Sequence, residues 1–156
     1  MNDDGSIGHR FATYFGARLV TLEWLQPGDE VHEIYPAMSD VHNANGEELI
    51  TAYAVHRPDG LWSVLLINKD PTRGYDASVV FRNAKGSSEF KGSIDVYQYS
   101  GRQYVLSGPS NNPYPIKADD PEHSVIQAST RNREQISLPP YSLTVIRGAL
   151  GPFTAR

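Results

Sequence analysis

The residues with the types and spacing to do chemistry fall into five groups, and one of them alternates. In GSIDVYQYSGRQYV, residues 92–105, Ile94 and Val96 point one way along a strand, while Asp95, Tyr97 and Tyr99 point the other. Tyr104 returns toward them across a short Ser100-Gly101-Arg102 turn. Tyrosines two apart on a strand stand about 7 Å from each other, and their flat rings can stack on sugar rings while Asp95 accepts hydroxyl hydrogens. Asp95, Tyr97, Tyr99 and Tyr104 are therefore the carbohydrate-binding candidates. The alternative use of that face is packing, against an N-terminal helix or a long loop, or as a cross-strand aromatic pair.

The other groups carry less. KADDPEH, residues 117–123, offers Asp119, Asp120 and Glu122 as hard oxygen ligands for calcium, or simply as a solvated acidic turn. Glu23, in TLEW, is the one acid set between large apolar residues, where desolvation raises a carboxyl pKa. The plainer expectation is a glutamate at a helix end with its stem beside Trp24, and no catalytic role. Histidines 9, 32, 42, 56 and 123 never stand at His-x-His or His-x3-His spacing, so they read as structural. Asn68-Lys69-Asp70 follows a strand and precedes proline, where asparagine and aspartate bond nearby backbone to start a turn. No serine lies in a Gly-x-Ser-x-Gly elbow, and no motif for a cofactor occurs.

The elements that must position these residues are mostly strands. A chain of 156 residues fits one domain that buries roughly two-thirds of its unfolded surface. Its 13 glycines and 11 prolines suit many short strands joined by turns. Phe11, Tyr14, Phe15, Arg18 and Leu22 recur near helical spacing, which predicts a helix over 9–24 with Ser6 as an upstream cap. Gln26-Pro27-Gly28-Asp29 ends it. Strands are predicted at 31–35, 49–57, 61–68, 76–82, 92–99 and 102–106, and a final strand or pair is entered through Pro139-Pro140. Residues 107–124 hold four prolines and read as a long loop, and 149–156 as a tail.

The hairpin TAYAVHRPDGLWSVLLINKD, residues 51–70, is the most regular stretch. Pro58 presets its turn and Gly60 is expected at positive φ. Trp62, Val64 and Leu66 face one way, Leu61, Leu65 and Ile67 the other, so the second arm is expected to be central in its sheet and buried on both sides. These patterns predict an all-β fold, an antiparallel β-sandwich of about eight strands with one N-terminal helix.

Charge and composition exclude several function classes. The net charge of −4 is spread along the chain without a basic run, which argues against a nucleic-acid partner. No apolar run approaches the roughly 18 residues that span a bilayer, and Met1-Asn2-Asp3-Asp4 is acidic where a signal peptide is basic, so no membrane partner is expected. The absence of cysteine removes disulfides and thiol chemistry but leaves the compartment open.

The hairpin at 51–70, followed by a short strand pair and then LPPYSLTVIRG at 138–148, resembles the C-terminal β-sandwich attached to (β/α)8-barrel glycoside hydrolases. That clan includes β-xylosidases and α-L-arabinofuranosidases, and the likeness is greatest to bacterial family-thirty-nine-like proteins. Residues 5–37 then correspond to the end of the barrel and its junction. The resemblance implies a junction segment at 1–28, an accessory sandwich at 29–148, and a partner in the catalytic barrel of a parent enzyme, itself secreted or periplasmic. The chain itself is expected to be noncatalytic: hydrolysis needs two carboxylates about 5 to 9 Å apart, set in these families on a barrel of about 250 residues. A carbohydrate-binding module for xylan, arabinan or β-glucan is the alternative, and a stand-alone hydrolase the third. Phe11, Phe15 and Leu22 are expected to form an apolar patch that the barrel would cover, making the isolated chain self-associate.

Overall fold

The structure, a computed structural model, describes residues 10–128 and 135–155. The chain runs through helix α1 (Ala12–Arg18), a π-helical stretch (Leu19–Trp24), β1 (Glu33–Tyr35), β2 (Ile50–His56), β3 (Trp62–Asn68), β4 (Tyr75–Ala77), β5 (Phe81–Asn83) and β6 (Gly86–Ser88). It continues through β7 (Phe90–Tyr99), β8 (Tyr104–Ser107), β9 (Tyr114–Ala118), β10 (Glu122–Ala128), β11 (Ile136–Leu138) and β12 (Ser142–Leu150). Six of these strands form one antiparallel sheet in the order β1-β2-β3-β12-β7-β10. Two-stranded pieces, β4 with β11 and β5 with β6, supply much of a second layer. The fold is all-β and antiparallel, consistent with a β-sandwich of unequal layers.

Alternation builds both sides of the main sheet. On its first face Ile50, Ala54, Val64, Leu66, Ile94, Val96 and Ile146 pack against Ile136 and Leu138 of β11, with Tyr75, Ala77 and Phe81 at the margin. On its second face Leu65, Val145 and Tyr99 pack against Phe15 and Leu19 of the helical segment. Strand β3 is central and buried on both sides, because each face of the sheet has its own cover. Each fully buried aliphatic side chain contributes about 1.5 to 3 kcal/mol relative to exposure.

The β2–β3 turn follows its chemistry. Gly60 has φ +80°, and its N–H donates to the Arg57 carbonyl at 2.9 Å, while Asp59 accepts from the Leu61 N–H at 3.1 Å. Pro139 and Pro140 lie between β11 and β12, with Tyr141 before the first residue of β12, as expected of residues that cannot donate to a ladder.

Several expectations are corrected. The helix starts at Ala12 and changes to π-helix after Arg18, with the Leu25 N–H donating to the Val20 carbonyl at 3.0 Å. Its N-cap is Phe11, without a side-chain cap, and the proposed cap Ser6 lies outside the described residues, as does His9. The strand expected at 76–82 is two short ones, β4 and β5, because the chain crosses there from one edge piece to another. Residues 107–124 are not a plain loop: they contain β9 and the start of β10. Both are largely exposed, so neither shows the alternation of apolar and polar residues that burial enforces.

The turn after β7 does not close a β7–β8 hairpin. Strand β7 lies between β12 and β10, and β8 pairs with β9 in a separate arm. The turn is held by the Gln103 N–H donating to the Ser100 carbonyl at 3.0 Å and by the Gln103 side chain accepting from the Ser100 N–H at 3.0 Å. The C-terminal stretch is also more than a tail. Strand β12 reaches Leu150, and Thr154 bridges to Ser87 so closely that a Cβ on Gly86 would lie 2.1 Å from the Thr154 carbonyl oxygen.

Candidate functional site

Strand β7 does set Asp95, Tyr97 and Tyr99 on one face, opposite Ile94 and Val96, but that face lies under the helical segment. Tyr99 is only 6% exposed and stacks on Phe15, with ring centroids 5.3 Å apart and planes 22° from parallel. Burial, with smaller contributions from Tyr104 and Asp119, pushes its phenol up to about 12. Tyr104 stands on β8, its ring 6.5 Å from that of Tyr99 and tilted by 43°. For Tyr99 that face is used for packing rather than for a ligand platform.

Tyr97 has a different environment. The neighbouring strands bring His123 of β10 opposite Tyr97 and Arg147 of β12 opposite Asp95. The His123 ring stacks on Tyr97 with centroids 4.3 Å apart and planes 10° from parallel, and the Arg147 guanidinium lies 5.0 Å from the Tyr97 ring centre. Arg147 also donates to the Tyr97 hydroxyl at 2.7 Å, to Asp95 Oδ2 at 3.4 Å and to Glu23 Oε2 at 3.3 Å. His123 Nε2 lies 2.8 Å from Asp95 Oδ1. Burial is the main cause that raises the Tyr97 phenol, with Arg147 opposing and Glu23 and Asp95 adding to it.

Glu23, Asp95, Tyr97, His123 and Arg147 thus form one polar cluster joining the helical segment to three strands. It runs from Arg147, whose side chain is 15% exposed, outward to His123 at 44%. A second arginine holds the same end of the segment: Arg57 donates to the carbonyls of Glu23 and Leu25 at 2.9 and 2.8 Å and pairs with Asp59 at 2.8 Å. Those bonds satisfy backbone oxygens at a helix end that has run out of partners. The Arg57 guanidinium is also the main cause that lowers the Asp59 pKa.

Chemically the cluster is a latch with its donors and acceptors already matched. Both carboxylates accept from the same guanidinium, and Asp95 is held by His123 as well. The ring faces of Tyr97 are occupied by His123 and Arg147. Asp95 and Tyr97 are brought together, but Tyr99 and Tyr104 sit at the buried end and on a separate arm.

The remaining candidates disperse. Asp119 pairs with Lys117 at 3.3 Å, Asp120 with Arg18, and Glu122 accepts from Gln103 at 3.4 Å. Among the described residues no three His, Asp or Glu side chains converge as metal ligands. His32 accepts from the Gln26 N–H at 2.8 Å, and His56 lies 3.4 Å from Glu33 with its ring 5.1 Å from that of Trp62. Asn68 and Asp70 serve the chain itself. The Asn68 amide, 2% exposed, donates to the carbonyls of Arg73, Leu138 and Pro139 at 3.0, 3.2 and 2.7 Å. Asp70 accepts from the N–H groups of Thr72 and Arg73, both at 2.9 Å, and from the Tyr75 hydroxyl at 2.8 Å, which hold its pKa down at about 2.

Sequence reasoning missed Arg57, His123 and Arg147 as partners. The signal for Arg147 was present: it alternates onto the same face as Leu143 and Val145, and a charge on a covered face needs partners.

No family model matches the chain, and no curated protein matches it. Solved structures similar to it include a Paenibacillus polymyxa xyloglucanase of glycoside hydrolase family 44, at 17% identity over 66% of this chain and 17% of that one, with a TM-score of 0.42. A GH51 α-L-arabinofuranosidase from Thermotoga petrophila RKU-1 is similar at 18% identity over 65% of this chain and 19% of that one, with a TM-score of 0.40. The GH51 arabinofuranosidase of Xanthomonas axonopodis pv. citri is similar at 14% identity over 71% and 20%, with a TM-score of 0.40. The chain spans about a fifth of the length of each of these glycoside hydrolases. They belong to families 44 and 51, and the family-thirty-nine likeness gains no support from them.

Proposed function

We propose that this chain is a noncatalytic β-sandwich domain of a glycoside hydrolase, which packs through its N-terminal helical segment against the enzyme's catalytic barrel. The observation that supports this reading is the two-sided character of that segment. Its inner side is clamped to the sheet by Phe15, Leu19, Arg57 and Arg147, while Phe11, Tyr14 and Leu22 remain 56%, 43% and 40% exposed on its outer side. Phe15, expected in the outer patch, is instead part of the core. A segment fixed on one side and apolar on the other suits a spacer between two packed domains.

The purified chain should release no product from aryl xylosides or arabinosides above buffer. It should give no heat when titrated with soluble xylan, arabinan or β-glucan, and it should self-associate in a way that Phe11→Ser and Leu22→Ser weaken. Turnover that scales with protein and disappears in Glu23→Gln overturns the noncatalytic reading. Micromolar glycan binding lost in a folded Tyr97→Ala variant replaces it with the carbohydrate-binding module.

A further inference from the structure

The two edges of the main sheet are protected very differently. Strand β1 is three residues long and carries Glu33, which accepts from the Tyr35 hydroxyl at 2.9 Å and lies against His56. Short length and charge are the usual means by which an edge is kept from pairing with another chain. Strand β10 has neither. It pairs with β7 over seven consecutive residues without a register shift, from Glu122 opposite Gln98 to Ala128 opposite Gly92. It contains no proline and no lysine, and its only carboxylate, Glu122, is at its first position. Residues 122–125 and 127 are exposed, with Val125 at 55%.

We propose that the β10 edge is a homodimer interface, on which a second copy of this chain adds its own β10 antiparallel about a two-fold axis at Val125. The strand is self-complementary in that register. Val125 meets Val125 of the second copy, His123 meets Gln127, Ser124 meets Ile126 and Glu122 meets Ala128, so no like charges stand opposite each other. The main sheet then continues from one copy into the next, and a β-branched pair covers apolar surface that is exposed in the monomer. A two-fold axis makes the contact close on itself, which limits assembly to two copies. The pairing uses the outward backbone groups of β10 and leaves the Tyr97–His123 stack on its own face. It is independent of the packing proposed for the helical segment, which lies over the second face of the sheet rather than at its edge.

The chain contains no cysteine, so a single introduced one reports contacts cleanly. Residues facing each other across an antiparallel pair have Cα atoms about 4.5 to 5.5 Å apart, within disulfide range. Under mild oxidation Val125→Cys should form a covalent dimer, whereas Met38→Cys, at a site 93% exposed, should not. With the helical-segment contact weakened by Leu22→Ser, sedimentation equilibrium should show a dimer, and adding Val125→Lys should weaken it by about tenfold or more, with the melting temperature unchanged at a concentration where both variants are monomeric, because two lysines then face each other. A monomer throughout the micromolar range overturns the proposal. So does a Leu22→Ser dimer that added Val125→Lys leaves intact, because its contact then lies elsewhere than the β10 edge.

Discussion

The two faces of the main sheet are closed in different ways. The first is sealed mainly by aliphatic side chains, Val64, Leu66, Ile94, Val96 and Ile146 against Ile136 and Leu138. The second pairs a small apolar core around Phe15, Leu19 and Tyr99 with an arginine cluster that ties down a helical segment. Apolar packing is nondirectional and accepts any cover of suitable shape, whereas Arg147 and Arg57 bond only to particular carboxylates and carbonyls. The first face therefore holds the sandwich together, and the second fixes where the helical segment lies.

This contrast is tested most severely by unequal truncations. Ile146→Ala empties a site in the first core that is fully buried and should cost about 2 to 5 kcal/mol in urea unfolding, with the whole chain losing structure in one transition. Arg147→Ala, one residue away and on the other face, should cost about 1 to 3 kcal/mol. Its effect should also be local: amide exchange should speed up over residues 12–25 while β3 and β12 stay protected. Equal costs, or global exchange in both variants, would mean that the two faces form one cooperative unit with no division of labour.

The pH dependence separates the faces without mutation. The Tyr99 phenol is raised from 10.0 to about 12 by burial, so the unfolded chain ionises first. The stability it contributes is fully present below pH 10 and is lost as pH rises from 10 to 12, a change of about 2 kcal/mol that Tyr99→Phe should remove. Asp70 behaves oppositely. Its pKa is lowered from 3.8 to about 2, so the stability from the β3–β4 turn is present above pH 4 and is lost as pH falls toward 2. Chemical denaturation across both ranges, with Asp70→Asn as the acid-side control, checks the signs.

The smallest effects belong to the β2–β3 hairpin and the residues after it. Gly60→Val should destabilise by about 1 kcal/mol or more, because φ +80° strains a β-branched residue although no neighbour lies within 4 Å of its Cβ position. Lys69→Ala, at an exposed position, should stay within about ±0.5 kcal/mol. A neutral Gly60→Val would mean that the turn relaxes to a conformation with negative φ.

How much of this was legible depended on whether burial had imprinted a pattern. Strands β2, β3, β7 and β12 carry large apolar residues at fixed periods, and the β2–β3 turn carries Pro58, Asp59 and Gly60, so these strands, and the facing of β3 and β7, could be read directly. The arm formed by β8 and β9, and the edge strand β10, lie largely in solvent and leave no such imprint. Of the candidate site, the shared facing of Asp95, Tyr97 and Tyr99 was legible from alternation, but their partners were not. Arg147 follows Asp95 by 52 positions and Glu23 by 124, and nothing local links them.

The sequence by itself determined the all-β class, the central place of β3, the positive φ of Gly60 and the split of β7 into two faces, because each follows from the local periodicity and sterics of a few consecutive residues. Only the tertiary structure decided that Tyr99 is covered by Phe15, that Tyr97 lies between His123 and Arg147, and that β7 pairs with β10 rather than β8. Those outcomes depend on which strands become neighbours. Strand neighbours are set by the summed burial and hydrogen bonding of distant segments, a quantity that no short stretch of sequence contains.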